Sequence, residues 1–391
     1  MTAASNETDF PLDRAVQDAQ RVMAQRRSGC PVGHVHAGSA HGDGWLVTRY
    51  DEVMSLLTDP RVKRDQRNVP ELDTRDGHDS LLYLDPPDHT RIRRLVNKTF
   101  TPRSVEPLRP KIEQLADELL DSMAAQGEVD LVSAFALPIP LLVISELLGV
   151  PEEDREAFAT FADAFNGTQH DPEVAREAHA YLEKLVAGKR AEPADDLLSA
   201  LALAAAEDGG TLSETELLHN ATLLLVAGYD TTVYLIANTV LALLQAPQQL
   251  AQVRANPALL PAAIEEVLRY DSPVNISSPR WAAEPITLSG VTVPAGEPLL
   301  ISIMSANRDA DHFDDPDRFD IHRDHSVRHL GFGHGIHYCP GAPLARMETL
   351  VAVGKLIERF PELRLAVSPD TLTMRDSLLM HGPASLPVRL S

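Results

Sequence analysis

Residues 213–245 constrain the fold of this chain more than any other segment. Ser213 and Glu216 form a Ser-x-x-Glu pattern, which is typical of a capping box at the start of a helix. The residues that follow are apolar on all sides and predict one helix that runs to about Gln245 and spans about 48 Å. A helix so long and so apolar must cross the middle of a protein, so we expect the other elements to pack around it.

The centre of this helix carries an acid beside two hydroxyl groups, since Asp230 is followed by Thr231 and Thr232. An acid inside a buried helix is unfavourable unless it has a partner or a task. The Thr231 hydroxyl can donate to the carbonyl of Ala227, four residues earlier, and so bend the helix open, while Gly228 makes room at the same place. The pattern therefore indicates either a functional site or a structural kink.

The second informative stretch is residues 330–346, Leu-Gly-Phe-Gly-His-Gly-Ile-His-Tyr-Cys-Pro-Gly-Ala-Pro-Leu-Ala-Arg. Its glycines at 331, 333 and 335 let a backbone pass close to something flat or bulky. Cys339 stands just before a predicted helix start, where N–H groups and the helix dipole lower the pKa of a thiol. A thiolate on such a loop suits the proximal position of a haem iron.

Two other interpretations of this stretch are a glycine-rich turn with an inert cysteine and a zinc site. A zinc site would use His334 or His337 with Cys339, but these residues lie close together and no second Cys/His pair has zinc spacing. The chain has two cysteines, Cys30 and Cys339, and neither belongs to a Cys-x-x-Cys pattern.

A third motif follows a proline pair. Pro86 and Pro87 are expected to start a helix, and Asp88 complements its dipole. His89 and Arg93 are four residues apart and share one helical face. The alternative is a solvated basic face, which is our interpretation of Arg91 and Arg94.

The pattern Phe-Gly-x-Gly-x-His-x-Cys-x-Gly, followed by Leu-Ala-Arg, resembles the haem-binding signature of cytochrome P450 enzymes of the soluble bacterial class, actinomycete secondary-metabolism type. The resemblance implies a mainly α fold with smaller β-sheets (α+β), in which the long central helix lies over a buried haem b. It implies a single haem domain over residues 1–391, with β-rich portions near 32–49, 274–303 and 362–391 and with residues 1–11 disordered.

The same resemblance implies roles for individual residues. Cys339 is the expected iron ligand, and Asp230 with Thr231 is expected to relay protons above the iron. Glu266, Arg269 and Arg318 are expected to form a structural ion network. Cofactor contacts are expected from His89, Arg93, Phe100, Ala227, Gly228, Arg280, Phe332, Gly333, His337, Cys339, Gly341 and Ala345. Since aromatic residues make up only 5% of the chain, an aliphatic substrate pocket is expected, with contacts from Val226, Asn275, Ile276, Leu379 and Met380.

Composition excludes several classes of function. The formal net charge of −22 repels phosphate backbones, so we expect no nucleic-acid partner. The polar N-terminus, residues 1–14, lacks the apolar core of a signal peptide. The apolar stretch 221–246 contains Asp230 and three threonines in or beside its centre and is not expected to span a membrane. Two cysteines fit a reducing compartment, so the sequence predicts a cytoplasmic bacterial protein, which we expect to be a monomer.

The resemblance further implies a monooxygenase that hydroxylates or epoxidises a sizeable apolar small molecule, such as a polyketide, terpenoid or steroid, with O2. No flavin domain fits in the chain, so electrons are expected from a separate ferredoxin and its reductase. Residues 61–64 and 91–98 are basic and could form part of the docking surface, or be ordinary solvated charge. The alternatives are a peroxide-driven peroxygenase, and a non-catalytic haem protein that acts as a partner-binding module.

Local patterns elsewhere predict smaller features. Residues 62–83 have no sustained period and predict a long irregular loop. Residues 129–135 are expected to be extended. Pro340 has no N–H, so it cannot donate to the cysteine sulfur, and we expect Cys339 to be a stronger electron donor than in relatives with another residue there.

Overall fold

The computed structural model describes residues 18–36, 43–72, 74, 78–166, 172–207, 212–324 and 326–391. The expected disorder of residues 1–11 lies outside this part of the chain. Most of the described residues are helical. The helices, in chain order, are α1 (Ala19–Gly29), α2 (Tyr50–Leu56), α3 (Asp88–Thr99), α4 (Pro102–Val105), α5 (Arg109–Ala124), α6 (Pro138–Leu147), α7 (Arg155–Asn166), α8 (Pro172–Ala191), α9 (Leu197–Glu207), α10 (Glu214–Gln245), α11 (Pro247–Ala255), α12 (Leu260–Tyr270), α13 (Ile303–Ala306) and α14 (Ala342–Arg359).

The strands are short and form small sheets. They are β1 (Val32–His36), β2 (Asp43–Val47), β3 (Val62–Lys63), β4 (Glu128–Asp130), β5 (Arg280–Ala282), β6 (Ile286–Leu288), β7 (Val291–Val293), β8 (Pro298–Ile301), β9 (Arg364–Leu365) and β10 (Pro387–Arg389). One sheet has the order β1-β2-β8-β5-β3, a second has β4-β10-β9, and β6 pairs with β7. The mainly α fold with smaller sheets is confirmed.

The long helix α10 lies at the centre of the molecule, as the sequence predicts. Its capping box is complete: the Ser213 hydroxyl accepts from the Glu216 N–H, and the Glu216 carboxylate accepts from the Ser213 N–H at 2.7 Å. The largest hydrophobic core surrounds α10, with residues from α5, α6, α12 and α14. By length and composition α10 could cross a membrane, but a buried core helix passes the same test, and 67% of its apolar window is buried.

Two local predictions need correction. Residues 129–135 are extended only in β4, and the chain from Val132 to Ala136 then forms a π-helix. Apolar residues here pack into the core around α10, and Phe135 and Ala136 are both fully buried. Residues 62–83 are less irregular than expected, because β3 and two short 3-10 turns interrupt them.

Candidate functional site

The segment that contains Cys339 is held by its own backbone at the start of α14. The Cys339 N–H donates to the Phe332 carbonyl at 2.9 Å, which closes the loop into a tight turn. Gly341 caps α14, so the cysteine lies two residues before the cap. The Ala345 N–H donates to the Gly341 carbonyl at 2.9 Å and begins the helical hydrogen bonds. The structure confirms the prediction that the cysteine lies just before a helix start.

The pKa of the Cys339 thiol differs from the expectation, which was that the helix start lowers it. Burial raises the pKa of the Cys339 thiol, and this outweighs the lowering by the N–H groups of Gly341 and Ala342 and by the charge on Arg93. The helix N-terminus can be predicted from the sequence, but the loss of water around the sulfur depends on how the folded chain surrounds it. A bound metal cation supplies the charge that deprotonates such a thiol outright.

The three glycines of the loop have different surroundings. A Cβ at Gly331 would lie 2.8 Å from the Leu268 carbonyl oxygen, and one at Gly335 would lie 3.0 Å from that of Leu57. These two glycines therefore allow close packing against protein backbone. Gly333, with φ +73°, faces no atom nearer than the His337 carbonyl oxygen at 3.9 Å. Only this glycine leaves room beside the loop for a group other than protein.

Basic side chains gather on one side of the cysteine loop. The rings of His89 and His337 lie 4.2 Å apart, centroid to centroid. His89 is 1% exposed, and neither of its ring nitrogens has a hydrogen-bond partner. Burial, Arg93 and Arg64 lower the pKa of His89 to about 4. Burial and four surrounding basic residues hold the pKa of His337 far below its usual range.

The arginines of this cluster are also poorly neutralised. Arg280 is 3% exposed, its Nε has no partner, and burial lowers its pKa to about 10 against the raising effect of Asp85. Arg93 reaches the cysteine loop, where its Nη2 donates to the Tyr338 carbonyl at 2.5 Å. Arg64 lies in the same cluster and is 5% exposed. Neither a docking surface nor ordinary solvated charge, the two interpretations offered for residues 61–64, fits Arg64, because it is buried.

The middle of α10 is open on one side. Ala227 is exposed and Thr231 half-buried, although most of the C-terminal half of the helix is buried. The Thr231 hydroxyl donates to the Ala227 carbonyl at 2.9 Å, the bond that the four-residue spacing predicts. The helix stays continuous across it. Gly228 does not open the helix: a Cβ there would lie 3.2 Å from Ile144, so the glycine lets α6 approach.

Asp230 points away from this open side. It is 5% exposed, and its Oδ1 lies 3.0 Å from Nη1 of Arg375. The same nitrogen donates to the Tyr234 hydroxyl at 2.8 Å. The acid expected from the sequence therefore has a partner, which comes from the C-terminal segment and carried no local signal.

These features fit haem. Gly333 leaves room beside the cysteine loop, a thiol stands at a helix start, and the buried donors of His89 and Arg280 without partners require an anion, which two propionates supply. Comparison with known proteins agrees. The family model for cytochrome P450 matches residues 168–385. This chain is a cytochrome P450.

The P450 has bacterial relatives that cover nearly all of its length. It is 50% identical to "Cytochrome P450 107B1" of Saccharopolyspora erythraea, with 96% of each chain covered. It is 47% identical to "Cytochrome P450 monooxygenase PikC" of Streptomyces venezuelae, over 95% of this chain and 91% of that one. The solved structure of the bacillaene polyketide synthase cytochrome P450 PksS from Bacillus subtilis matches with a TM-score of 0.91 and 41% identity, covering 98% of this chain and all of that one.

Family membership makes the protein a haem-dependent monooxygenase that uses O2 and electrons from a redox partner. When bound, the haem supplies the oxidising chemistry, and the thiolate of Cys339 would ligate its iron. The basic cluster of His89, Arg93, Arg280 and His337 would hold the two haem propionates. Phe332 is part of the cysteine loop, and its ring packs under the guanidinium of Arg346, with Cζ 4.5 Å from the ring centroid. Phe100, at the C-terminus of α3, is 7% exposed.

The ion network near the cysteine loop has a different third member from the one expected. The Glu266 carboxylate is fully buried, and Arg269 donates to both of its oxygens at 2.8 Å. The other arginine is Arg323, whose Nε lies 3.0 Å from Glu266 Oε1. Arg318 is wrong as a member: its side chain is 65% exposed and lies 3.5 Å from Asp320. Only its backbone carbonyl participates, as an acceptor from Arg269 and Arg323.

The expected substrate contacts divide into two groups. Val226, Leu379 and Met380 are half-buried and remain predictions. Asn275 and Ile276 are 2% and 1% exposed, so the expectation that they face the substrate is wrong. The Asn275 amide donates to the Leu378 carbonyl at 3.1 Å, and Ile276 packs in a small core beneath the largest sheet. Both residues hold the C-terminal segment in place.

Proposed function

We propose that this P450 hydroxylates or epoxidises a sizeable apolar small molecule of the polyketide or macrolide, terpenoid or steroid type. The relatives support the polyketide class first, since PksS takes its name from a polyketide synthase and another relative is named mycinamicin IV hydroxylase/epoxidase. The low aromatic content, 5%, supports an aliphatic pocket. The chain acts in the bacterial cytoplasm and takes its electrons from a separate ferredoxin.

Within the reaction, Thr231 and Asp230 deliver protons. The observation that carries this proposal is the position of Thr231, half-buried beside exposed Ala227 on the open side of α10. Its hydroxyl donates to a backbone carbonyl and keeps lone pairs free to accept from water. Asp230, the preceding residue, lies on the neighbouring face of the helix and pairs with Arg375, and its carboxylate takes up protons from water and passes them on toward Thr231.

The threonine pair offers a matched test. Thr231→Ala removes the hydroxyl on the open side, whereas Thr232→Ala removes a buried one that bonds to the Gly228 carbonyl at 3.3 Å. We expect Thr231→Ala to keep consuming NADPH and O2 but to release peroxide, with product per O2 falling at least about tenfold. Thr232→Ala should retain the wild-type ratio. Equal ratios in the two variants would refute the relay.

The substrate for this assay comes from a binding screen. Macrolides, other polyketides, terpenoids and steroids are added to the ferric protein, and the compound that shifts the Soret band most is used. Small polar compounds are added to the panel as the comparison, and a Soret shift with these compounds alone would contradict the proposed substrate class. A peroxide-driven peroxygenase, the second candidate, would turn the same compound over with hydrogen peroxide alone and would be indifferent to Thr231→Ala.

Thiolate ligation has its own measurement, the spectrum of the reduced protein under carbon monoxide. A strongly red-shifted Soret band is expected because the thiolate donates electron density to the iron. A band typical of neutral histidine or thiol ligation would mean that Cys339 is not the ligand.

The ferredoxin is expected to dock beside α3. Arg94 and Lys98 on α3 and Arg103 on α4 are exposed, and α3 is joined to the cysteine loop through Arg93. The other basic residues are less available, since Arg91 pairs with Glu216 and Arg61 with Asp59. Lys98→Glu should slow reduction by an acidic ferredoxin about tenfold at low salt, with the difference shrinking as salt is added. Lys111→Glu, an exposed lysine on α5, is the control, and equal slowing by both would contradict this docking surface.

A further inference from the structure

Arg64 is a buried cation with an unsatisfied donor. It follows β3 directly and is 5% exposed. Its Nη1 donates to the Leu82 carbonyl at 3.0 Å and to the Ser278 hydroxyl. Its Nε has no hydrogen-bond partner. A buried guanidinium N–H without an acceptor is costly. The site therefore needs an acceptor that the described residues do not provide.

Sheet register brings a second arginine against it. In the β3–β5 pair, Val62 lies opposite Ala282 and Lys63 opposite Trp281. One step further along this register, Arg64 faces Arg280, whose Nε is also without a partner. Like charges directly opposite each other in a strand pair are destabilising, and burial makes the repulsion stronger. Two such arginines side by side imply an anion between or beside them.

The charges near this pair do not balance within the protein. Arg64, Arg93 and Arg280 are three cations around the imidazoles of buried His89 and half-buried His337. The negative charge of the Asp85 carboxylate favours the charged forms of Arg64 and Arg280 and raises the pKa of each. It is already engaged with the backbone N–H groups of Arg64 and Asp65, at 3.2 and 3.1 Å. The excess is two positive charges, which is the charge that the two propionates of haem neutralise.

We propose that Arg64 donates directly to a haem propionate and so completes the cofactor's anion site. The inference rests on haem as the cofactor but not on the proton relay or the substrate. Arg64 is thereby a cofactor-binding residue in addition to His89, Arg93, Arg280 and His337. Two consequences follow: Arg64 slows the loss of haem, and its charge raises the reduction potential of the iron, because a nearby cation favours the more negatively charged ferrous state.

The test compares holoenzymes with Arg64→Gln, Arg64→Lys and Arg61→Gln. Arg61 lies three positions before Arg64 on the same segment but is 43% exposed and pairs with Asp59, so it serves as the matched control. Haem transfer to excess apomyoglobin should be about tenfold faster or more from Arg64→Gln, because a charge-assisted hydrogen bond at a buried site is lost. Arg64→Lys should recover most of this, and Arg61→Gln should match the wild type.

The reduction potential separates this role from a merely structural one. The midpoint potential should fall in Arg64→Gln and stay near the wild-type value in Arg64→Lys, which keeps the charge. If Arg64→Gln and Arg64→Lys have the same potential as the wild type, the proposal is overturned, even where haem loss is faster. The carbon monoxide spectrum of the wild type is read in parallel, so that failure of thiolate ligation is not mistaken for failure of this inference.

A direct observation covers the case in which Arg64→Gln does not accumulate as holoenzyme. In a crystal structure of the wild-type holoenzyme, a nitrogen of Arg64 should lie within hydrogen-bond distance of a propionate oxygen. An Arg64 that bonds only to Leu82 and Ser278 in that structure would overturn the proposal.

Discussion

Asp230, in the middle of α10, forms an ion pair with Arg375, a residue 145 positions later, and Oδ1 and Nη1 lie 3.0 Å apart. Arg375 belongs to a turn of the C-terminal segment, where its N–H donates to the Gly382 carbonyl at 2.9 Å. Gly382 lies against the ring of Tyr234, and any Cβ at this position would collide with that ring. The Asp230–Arg375 ion pair therefore holds the C-terminal turn against α10, the helix that carries the expected proton relay.

Replacement of Arg375 should destabilise the protein. Arg375→Gln leaves Asp230 buried without its charge partner, and we expect a cost of about 2–3 kcal/mol, because both side chains are largely buried. The measurement is the thermal unfolding midpoint of the haem-bound protein. Arg389→Gln is the control, since it breaks a pair whose partners are each 53% exposed. A midpoint for Arg375→Gln no lower than that of the control would show that the pair does not hold the segment.

The corrected ion network predicts different effects for two neighbouring arginines. Arg323→Gln removes a charge from fully buried Glu266 and should cost about 2 kcal/mol, with poorer haem retention because the network supports the cysteine loop. Arg318→Gln changes an exposed side chain and should stay within about 0.5 kcal/mol of the wild type. Unfolding in guanidinium chloride and the haem-to-protein absorbance ratio measure both effects. A larger loss of stability in Arg318→Gln than in Arg323→Gln would show that Arg318 belongs to the network after all.

Glu265 should make stability depend on pH in acid. Burial raises the pKa of its carboxyl, but hydrogen bonds from Arg346 and His329 outweigh this and lower the pKa to about 2 from 4.5. A carboxyl whose pKa is depressed in the folded state stabilises above its unfolded pKa and loses that effect as pH falls. Glu265→Gln should therefore cost about 1–2 kcal/mol at pH 7, allowing for partial exposure.

The difference between Glu265→Gln and the wild type should shrink between pH 4.5 and pH 2, which denaturant titrations at several pH values can follow. The exposed residue Glu358 provides the control variant Glu358→Gln. A difference that stays constant as the pH falls through this window would mean that the ionised Glu265 carboxylate contributes nothing to stability.

Pro340→Leu should raise the midpoint potential of the iron. Leucine supplies an N–H where proline has none, and a donor aimed at the cysteine sulfur weakens its electron donation. The N–H groups of Gly341 and Ala342 already act on the sulfur, so the change is that of one further donor. Redox titration measures it, with Pro102→Leu at the exposed start of α4 as control. An unchanged midpoint potential in Pro340→Leu would contradict the hypothesis that Pro340 makes Cys339 a stronger electron donor.

Local geometry explains which features were predictable. The capping box at Ser213 and Glu216, the bond from Thr231 to Ala227, and the cysteine before α14 all depend on residues within four positions of one another or on a helix boundary. Helix periodicity determines these contacts wherever the helix forms, so the sequence sufficed. The P450 signature around Cys339 belongs to the same class, since its residues are contiguous.

Tertiary structure decided the partners that come from distant segments. Arg323 rather than Arg318 reaches Glu266, because the chain turns between residues 314 and 323 and aims one guanidinium inward and the other at solvent. Arg375 meets Asp230 only because the C-terminal turn returns to α10. Arg64 meets Arg280 through the register of two strands more than 200 residues apart. The sequence alone determined the family and the helix that spans the core, and it predicts the iron ligand. Which charges are buried together depends on how the loops close, and no local pattern encodes that.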